Sequence, residues 1–225
     1  MIKVEQLSQS YGKKRVLDAI SVEIGKTETC ALVGRNGAGK STFINSLLGL
    51  LPVKQGKIAI NDIEVTKKNV EWKKAIAYLP EKFMLYPSLT GLENMTFFAE
   101  AVVGSADLGR MEQILQSVRL WDDRDVQVKK YSKGMLQRLG LAITLYQDAD
   151  ILILDEPTSG IDPLGRKEIL EVLKSLHGKT ILLSSHHLDE IRQVCTHVAY
   201  LDDGKMTKYT VEEFLETHHL GGYQE

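Results

Sequence analysis

The 225-residue sequence contains no stretch near the roughly 18 consecutive apolar residues that a membrane-crossing helix needs. Its longest apolar runs, such as Ile151-Leu152-Ile153-Leu154, are strand-sized. The first residues, Met1-Ile2-Lys3-Val4-Glu5, mix charge with apolar groups and lack the apolar core of a secretion signal. Only two cysteines are present, Cys30 and Cys195, each within an apolar run, which reads as two reduced core thiols and leaves a disulfide or metal pair as the weaker alternative. Charge of one sign is also missing: 28 Lys+Arg against 30 Asp+Glu leave a net −2. No global field is therefore available to hold nucleic acid or anionic lipid, and no nucleic-acid partner is expected. Internal repeats, low-complexity tracts and sustained heptads are absent. With 43% hydrophobic and 26% charged residues, the composition excludes general disorder.

What is present is an alternation of strands and helices. Val4, Leu7 and Val16 to Ile24 read as strands broken at Tyr11-Gly12-Lys13-Lys14. Thr29 to Val33 is a compact strand, followed by a helix from Lys40 to about Leu50 that Pro52 would stop. Lys57 to Val65 reads as a strand pair about an Asn-Asp turn, and Ala75 to Leu79 as a strand ended by Pro80. From about Leu85 to Gln147 helical spacing takes over, marking a helical insert. Strands return at 151–154, 180–184 and 197–201, with a helix over Glu168 to Leu176. This pattern implies an α/β fold with a mostly parallel sheet, whose ligands gather at the carboxyl ends of the strands.

Chemistry-bearing residues fall at those ends. Gly34-Arg35-Asn36-Gly37-Ala38-Gly39-Lys40-Ser41 has the spacing G-x-x-x-x-G-K-[ST], follows a strand and opens a helix. Glycines let backbone N–H groups converge on phosphate oxygens, and the helix start adds unpaired N–H groups and a positive dipole end. Lys40 suits the β- and γ-phosphates, and Ser41 a Mg²⁺ ion. The strand 151–154 ends in Asp155-Glu156. Asp155 suits Mg²⁺ and Glu156 a general base, although alone the pair reads equally as surface-loop carboxylates. His186 ends the next apolar strand, at the edge that carries Lys40, while His187 reads as a solvated loop histidine. Ser132 is a natural N-cap for a helix reaching Gln147, with Gly134 permitting close backbone approach; on the residues alone this is an ordinary capped helix.

Taken together, from Val4 to about Gly204, these motifs and their order resemble the ATP-binding subunit of an ABC (ATP-binding cassette) transporter. The resemblance implies a P-loop NTPase: a single ABC domain over 1–225, with 1–84 and 148–225 as a core that includes an antiparallel β subdomain, and about 85–147 as the helical subdomain. It implies that Tyr11 stacks on adenine, that Gly34, Arg35, Asn36, Gly37, Ala38, Gly39, Lys40, Ser41 and Thr42 hold the phosphates, and that Ser132 and Gly134 contact the γ-phosphate bound to an opposite subunit. Asp155 resembles the Mg²⁺-binding aspartate, Glu156 the catalytic glutamate, His186 the switch histidine, and Ser159-Gly160-Ile161-Asp162 the loop linking two sites across a dimer. ATP and Mg²⁺ are the implied ligands. The implied partners are a second ATP-binding subunit, most simply another copy, and separate integral membrane subunits that keep this chain at the cytoplasmic face.

Three departures stand out. The family's Leu-Ser-Gly-Gly-Gln is here Tyr131-Ser132-Lys133-Gly134-Met135, with Lys133 placed either near the triphosphate or toward solvent. Glu81 stands where the family usually has glutamine; a carboxylate can still ligate Mg²⁺ but adds negative charge beside phosphate. Gly160 replaces a common alanine, a change expected to matter little. Leu85 to Asn94 with Phe97-Phe98-Ala99 resembles export-type cassettes, and Phe83 to Tyr86 is expected to receive the membrane partner if exposed. Pro80-Glu81 and the Ser132–Met135 variant are similar to the ATPase subunit serving copper-site maturation of nitrous oxide reductase. The alternative is a soluble ABC-type ATPase not tied to transport. A GTPase would want Asn-Lys-x-Asp, which is lacking, and a pure binding module would not need the Asp155-Glu156 pair. The tail from Thr207, including His218-His219, is too short for a regulatory domain.

Overall fold

A computed structural model describes residues 1–66 and 68–219. The elements run β1 (Ile2–Tyr11), β2 (Lys14–Ile24), β3 (Thr29–Val33), α1 (Lys40–Leu47), β4 (Gln55–Ile60), β5 (Ile63–Glu64) and β6 (Ile76–Leu79). Three helices follow, α2 (Gly91–Val103), α3 (Leu108–Ser117) and α4 (Lys133–Tyr146). The chain then alternates through β7 (Ile151–Leu154), α5 (Pro163–Ser175), β8 (Thr180–Ser184), α6 (Leu188–Val194), β9 (His197–Asp202), β10 (Lys205–Thr210) and α7 (Val211–His219).

Two sheets result. One is antiparallel, in the order β2-β1-β4-β5; the other runs β10-β9-β3-β8-β7-β6, with all neighbours parallel except β10 against β9. The interior strand β7, between β8 and the edge strand β6, is apolar throughout because both of its faces are covered. Its residues divide with the period of two that a strand imposes. Ile151 and Ile153 pack with Phe43, Leu47, Ile58 and Ile60 toward the antiparallel sheet and α1, while Leu152 and Leu154 join Met95, Leu115, Leu139 and Ile143 under the helices. This double burial pins the strand ends, and so the residues just beyond them, in fixed register.

Local signals explain most boundaries. Asn61 and Asp62 both adopt positive φ (46° and 64°), as a two-residue hairpin between β4 and β5 requires. Thr90 and Glu93 form a reciprocal capping box at the start of α2. Two helix boundaries differ from the sequence reading. Helix α1 ends at Leu47 rather than near Leu50, because Gly49 takes φ 65° and reverses the chain before Pro52 is reached. Helix α5 begins at Pro163, five residues earlier than expected, with Asp162 as N-cap and proline at the first helical position. The tail is also more ordered than a loop: β10 extends the sheet, and His218 stacks on Phe214 with ring centroids 4.3 Å apart. Residues 220–225, the end of the tail considered above, lie outside the described residues. Both cysteines are free; burial pushes the Cys30 thiol up to about 12 and the Cys195 thiol up as well.

Candidate active site

Strand β3 ends at Val33 beside the carboxyl ends of β8 and β9, and the glycine loop turns from there into α1. Gly39 takes φ 111°, and a Cβ at that position would lie 2.9 Å from Val16 Cγ1 and 3.3 Å from the Val16 carbonyl oxygen. A Cβ at Gly34 would collide with the Leu201 carbonyl of β9. Both glycines are thus demanded by the sheet that the loop rests on. Helix α1 has no side-chain cap and no acidic residue in its first turn, leaving N–H groups and dipole available to an anion. The Lys40 ammonium lies within the loop and donates to the Gly34 carbonyl at 2.7 Å and the Arg35 carbonyl at 3.4 Å.

A cavity of about 340 Å³ opens over this loop. It is lined by Asn36, Gly37, Gly39, Lys40, Ser41, Thr42, Glu81, Asp155, Glu156 and, from β2, Val16. Parallel pairing explains the convergence: Leu79 of β6 is in register with Leu154 of β7, so Glu81 and Asp155 emerge at one edge. The buried Ser184 hydroxyl at the end of β8 ties the acidic pair down, donating to Asp155 Oδ1 and accepting from the Glu156 backbone N–H, each at 2.7 Å. Glu156 itself sits at φ 48°, a conformation uncommon for a residue with a side chain. His186 Nδ1 lies 3.1 Å from Glu156 Oε2, joining the β8 end to the acidic pair. Burial pushes the Tyr78 phenol up to about 12, with the Asp155 and Glu81 carboxylates adding to the shift.

The donor set of Ser41, Asp155 and Glu81 is all oxygen, which suits Mg²⁺ rather than a softer ion. Among the described residues no group of three or more His, Cys, Asp or Glu could hold a metal alone. That fits a cation carried by one or two carboxylates together with substrate phosphates.

Other expected residues stand apart from this cavity. Tyr11 is 55% exposed at the end of β1 and is not among the cavity lining. Ser132 caps α4, accepting from the Met135 N–H at 3.2 Å, and it too lies outside the lining, as does Gly134. Gly134 packs instead on Gly165 of α5, bringing two helix starts together. Of its two expected courses Lys133 takes the one toward solvent: it is exposed, with its ammonium lying over Gly160. Gly160 takes φ 65°, so alanine there would be strained by its backbone, more than the sequence reading allowed. His187 is not a solvated loop residue either. It is the half-buried N-cap of α6, its Nε2 lies 3.3 Å from Arg166 Nη2, and burial holds its imidazole below the usual range. Arg138, beside the signature helix start, donates to the Val118 and Arg119 carbonyls, closing the carboxyl end of α3. Around Phe83 the chain is mixed: Met84 is 82% exposed and Tyr86 45%, whereas Phe83 and Leu85 pack on the core. Tyr86, Phe97 and Phe98 form an edge-packed aromatic cluster there.

Ser184 and Val16 were missed as site residues. A serine ending an otherwise apolar, fully buried strand was the available signal for Ser184; Val16 offered none.

Comparison with known proteins agrees with this geometry. Residues 17–159 match the ABC transporter family. The chain is 34% identical over 210 residues to the linearmycin resistance ATP-binding protein LnrL of Bacillus subtilis, covering 92% of this chain and 68% of that protein. It is 35% identical to the lantibiotic transport ATP-binding protein SrtF of Streptococcus pyogenes (96% and 94% covered) and 36% identical to the bacitracin transport ATP-binding protein BcrA of Bacillus licheniformis (92% and 68%). Among solved structures, an ATP-binding subunit of an ABC transporter superposes with TM-score 0.81 at 29% identity over 100% of this chain and 95% of the other. The dimeric bacterial ABC transporter cassette MJ0796 superposes with TM-score 0.81 at 25% identity over 94% and 99%. None of these relatives carries the narrower resemblance to the nitrous oxide reductase copper-site ATPase. The phosphate loop, the acidic pair at the end of β7 and these matches together mean that the chain belongs to the ABC transporter family, as an ATP-binding and ATP-hydrolysing subunit of such a transporter.

Proposed function

We propose that two copies of this chain hold two ATP molecules at a shared face and couple their hydrolysis to export by separate membrane subunits. The observation that carries the reading is the split of the machinery. Lys40, Ser41, Asp155 and Glu156 share one cavity, with His186 reaching it through Glu156, while Ser132 at the start of α4 is exposed and lies outside that cavity's lining. A second copy supplying that helix start would complete the site, and the dimeric state of the related cassette supports this.

In this reading the loop N–H groups and the Lys40 ammonium grip the β- and γ-phosphates, with Lys40 exchanging its carbonyl contacts for phosphate oxygens. Tyr11, exposed at the end of β1, would stack on adenine. Bound to Ser41, Asp155 and Glu81, Mg²⁺ would neutralise charge on the phosphate oxygens. Glu156 orients the attacking water and takes its proton, while His186, bonded to Glu156, keeps that carboxylate aimed and meets the γ-phosphate. Ser132 and Gly134 of the other copy cover the γ-phosphate through the start of α4.

The exposed Met84 and Tyr86 beside Glu81 support docking of the membrane subunit there, so that cargo movement reaches the cavity rim. That partner would hold the chain at the cytoplasmic face; among the described residues no helix is long and apolar enough to cross a membrane. The roles that name the three relatives, lantibiotic transport, bacitracin transport and linearmycin resistance, support an antibiotic-like cargo moved outward. Phosphate release measured with the wild type, Lys40→Ala and Glu156→Gln tests the reading. Lys40→Ala should lose ATP binding, and Glu156→Gln should keep binding but lose turnover; wild-type turnover in either contradicts it.

A further inference from the structure

Glu190 is 2% exposed, the one carboxylate among the described residues that is fully buried. It belongs to α6, outside the phosphate cavity, yet its bonds run toward the two loops that carry Glu156 and His186. Thr158 Oγ1 and Ser185 Oγ both donate to Glu190 Oε2 at 2.8 Å. Thr158 stands two residues after Glu156, and Ser185 stands one before His186. Ser185 Oγ also accepts from the His187 backbone N–H at 3.1 Å, holding the turn that presents both histidines. The other carboxylate oxygen, Oε1, is 3.2 Å from Arg166 Nε of α5, and the same guanidinium reaches His187, whose ring packs on His186 with centroids 4.0 Å apart. One buried anion thus joins the β7 loop, the β8 loop, α5 and α6.

Stability alone does not call for such a group. Desolvating a carboxylate and a guanidinium costs several kcal/mol before their attraction returns it, and apolar residues of similar volume commonly do as well. What the arrangement adds is geometry: two hydroxyl bonds to one buried carboxylate, with the Arg166 ion pair beside them although its Nε and Oε1 are not aligned as a hydrogen bond, leave the loops little freedom to slide past each other. The quantity they fix is the relative placement of the loops that follow β7 and β8, beyond the last ladder pair Leu154–Leu183, across which the 3.1 Å contact between His186 and Glu156 is made.

We propose that Glu190 is a positioning residue for hydrolysis, holding the Glu156 and His186 loops at working distance through Thr158, Ser185 and Arg166. The proposal rests on the reading of Glu156 and His186 as the groups that act at the γ-phosphate. Its effect should fall on the chemical step and spare nucleotide affinity, because none of these three partners lines the phosphate cavity.

The test compares Glu190→Gln, Glu190→Leu and Thr158→Val with the wild type in steady-state ATP hydrolysis, with thermal unfolding of each. Glu190→Gln keeps an acceptor for the hydroxyls and loses the charge facing Arg166, and Glu190→Leu loses both. The expected order is a fall in kcat of about tenfold for Gln and about 100-fold for Leu, since loss of alignment by about 1 Å has effects of that size, with KM for ATP within about twofold. Thr158→Val should fall with the Gln variant and keep its KM. Wild-type kcat in folded Glu190→Gln and Thr158→Val overturns the proposal, as does a loss that tracks folded fraction or KM alone. If Glu190→Leu does not fold, the other two variants decide. Glu156→Gln, measured alongside, separates the two levels: if it is inactive while the Glu190 variants are normal, only the positioning role falls, whereas an active Glu156→Gln removes the underlying reading as well.

Discussion

Replacing Ser184 with alanine removes one hydroxyl that does two jobs. It donates to the Asp155 carboxylate and accepts from the Glu156 N–H, both at 2.7 Å, at a position with no solvent exposure. A hydrogen bond to a charged group contributes about 1.5–3 kcal/mol, and an unpaired N–H costs about 1–3 kcal/mol more. The cavity beside Asp155 lets water recover part of this, so a net loss of about 2–4 kcal/mol is expected. At about 2–4 °C per kcal/mol for a domain of this size, the melting temperature should drop by about 4–16 °C. Turnover should drop further than stability accounts for, because Glu156 sits at φ 48° and this N–H bond helps to hold it there. Differential scanning calorimetry and phosphate release on the same preparation measure both effects. Ser184→Thr keeps the hydroxyl on a residue suited to strands and should recover most of each. A melting temperature within about 2 °C of wild type, together with unchanged turnover, would refute the argument that this hydroxyl anchors the acidic pair.

Further outcomes follow from particular contacts. Gly39→Ala must place a side chain at φ 111° against Val16, so it should lose at least about 1–2 kcal/mol and weaken ATP binding in a fluorescence titration; unchanged affinity would count against the loop geometry. Gly160→Ala must place a side chain at φ 65° and should lose about 1–2 kcal/mol; an unchanged urea midpoint would contradict that backbone conformation. Alkaline stability is set by groups that stay protonated in the folded state. Cys30 is raised from 9.0 to about 12, and Tyr78 and Tyr131 from 10.0 to about 12, so the unfolded chain ionises first and stability should be lost as pH rises from about 9 toward 12. Urea midpoints should be level from neutral pH to about 8.5 and fall above 9; a rise between 9 and 11 would contradict the assigned burial.

Sequence legibility followed the range of the interactions involved. The phosphate loop could be read because its function is written in consecutive residues, and the strand 151–154 because burial on both faces leaves an uninterrupted apolar run. The edge shared by Lys40, Asp155 and Glu156 followed from parallel pairing, whereas Glu81 was read there only through the family resemblance. Polar partners that act across strands were not legible. Nothing adjacent to Ser184 announces Asp155, and Glu190 looks like any acidic residue in the first turn of a helix until its burial is seen. Helix α5 was read late because the loop reading ended at Asp162 without seeing that this residue is a cap followed by a first-turn proline. Lys133 and Gly160 lie 27 positions apart, and only the folded chain shows one side chain lying over the other residue.

The central claim, a triphosphate gripped by one copy and covered by the Ser132 helix start of another, can be tested by cross-linking. In a Glu156→Gln background, Asn36→Cys lines the phosphate cavity and Ser132→Cys marks the helix start, while Cys30 and Cys195 stay silent because burial raises both thiols. Mixing the two variants, each with one introduced cysteine, with a short bifunctional maleimide should give a covalent dimer that joins one variant to the other and forms only when ATP and Mg²⁺ are present. No cross-link with ATP, or the same yield without it, would contradict the account.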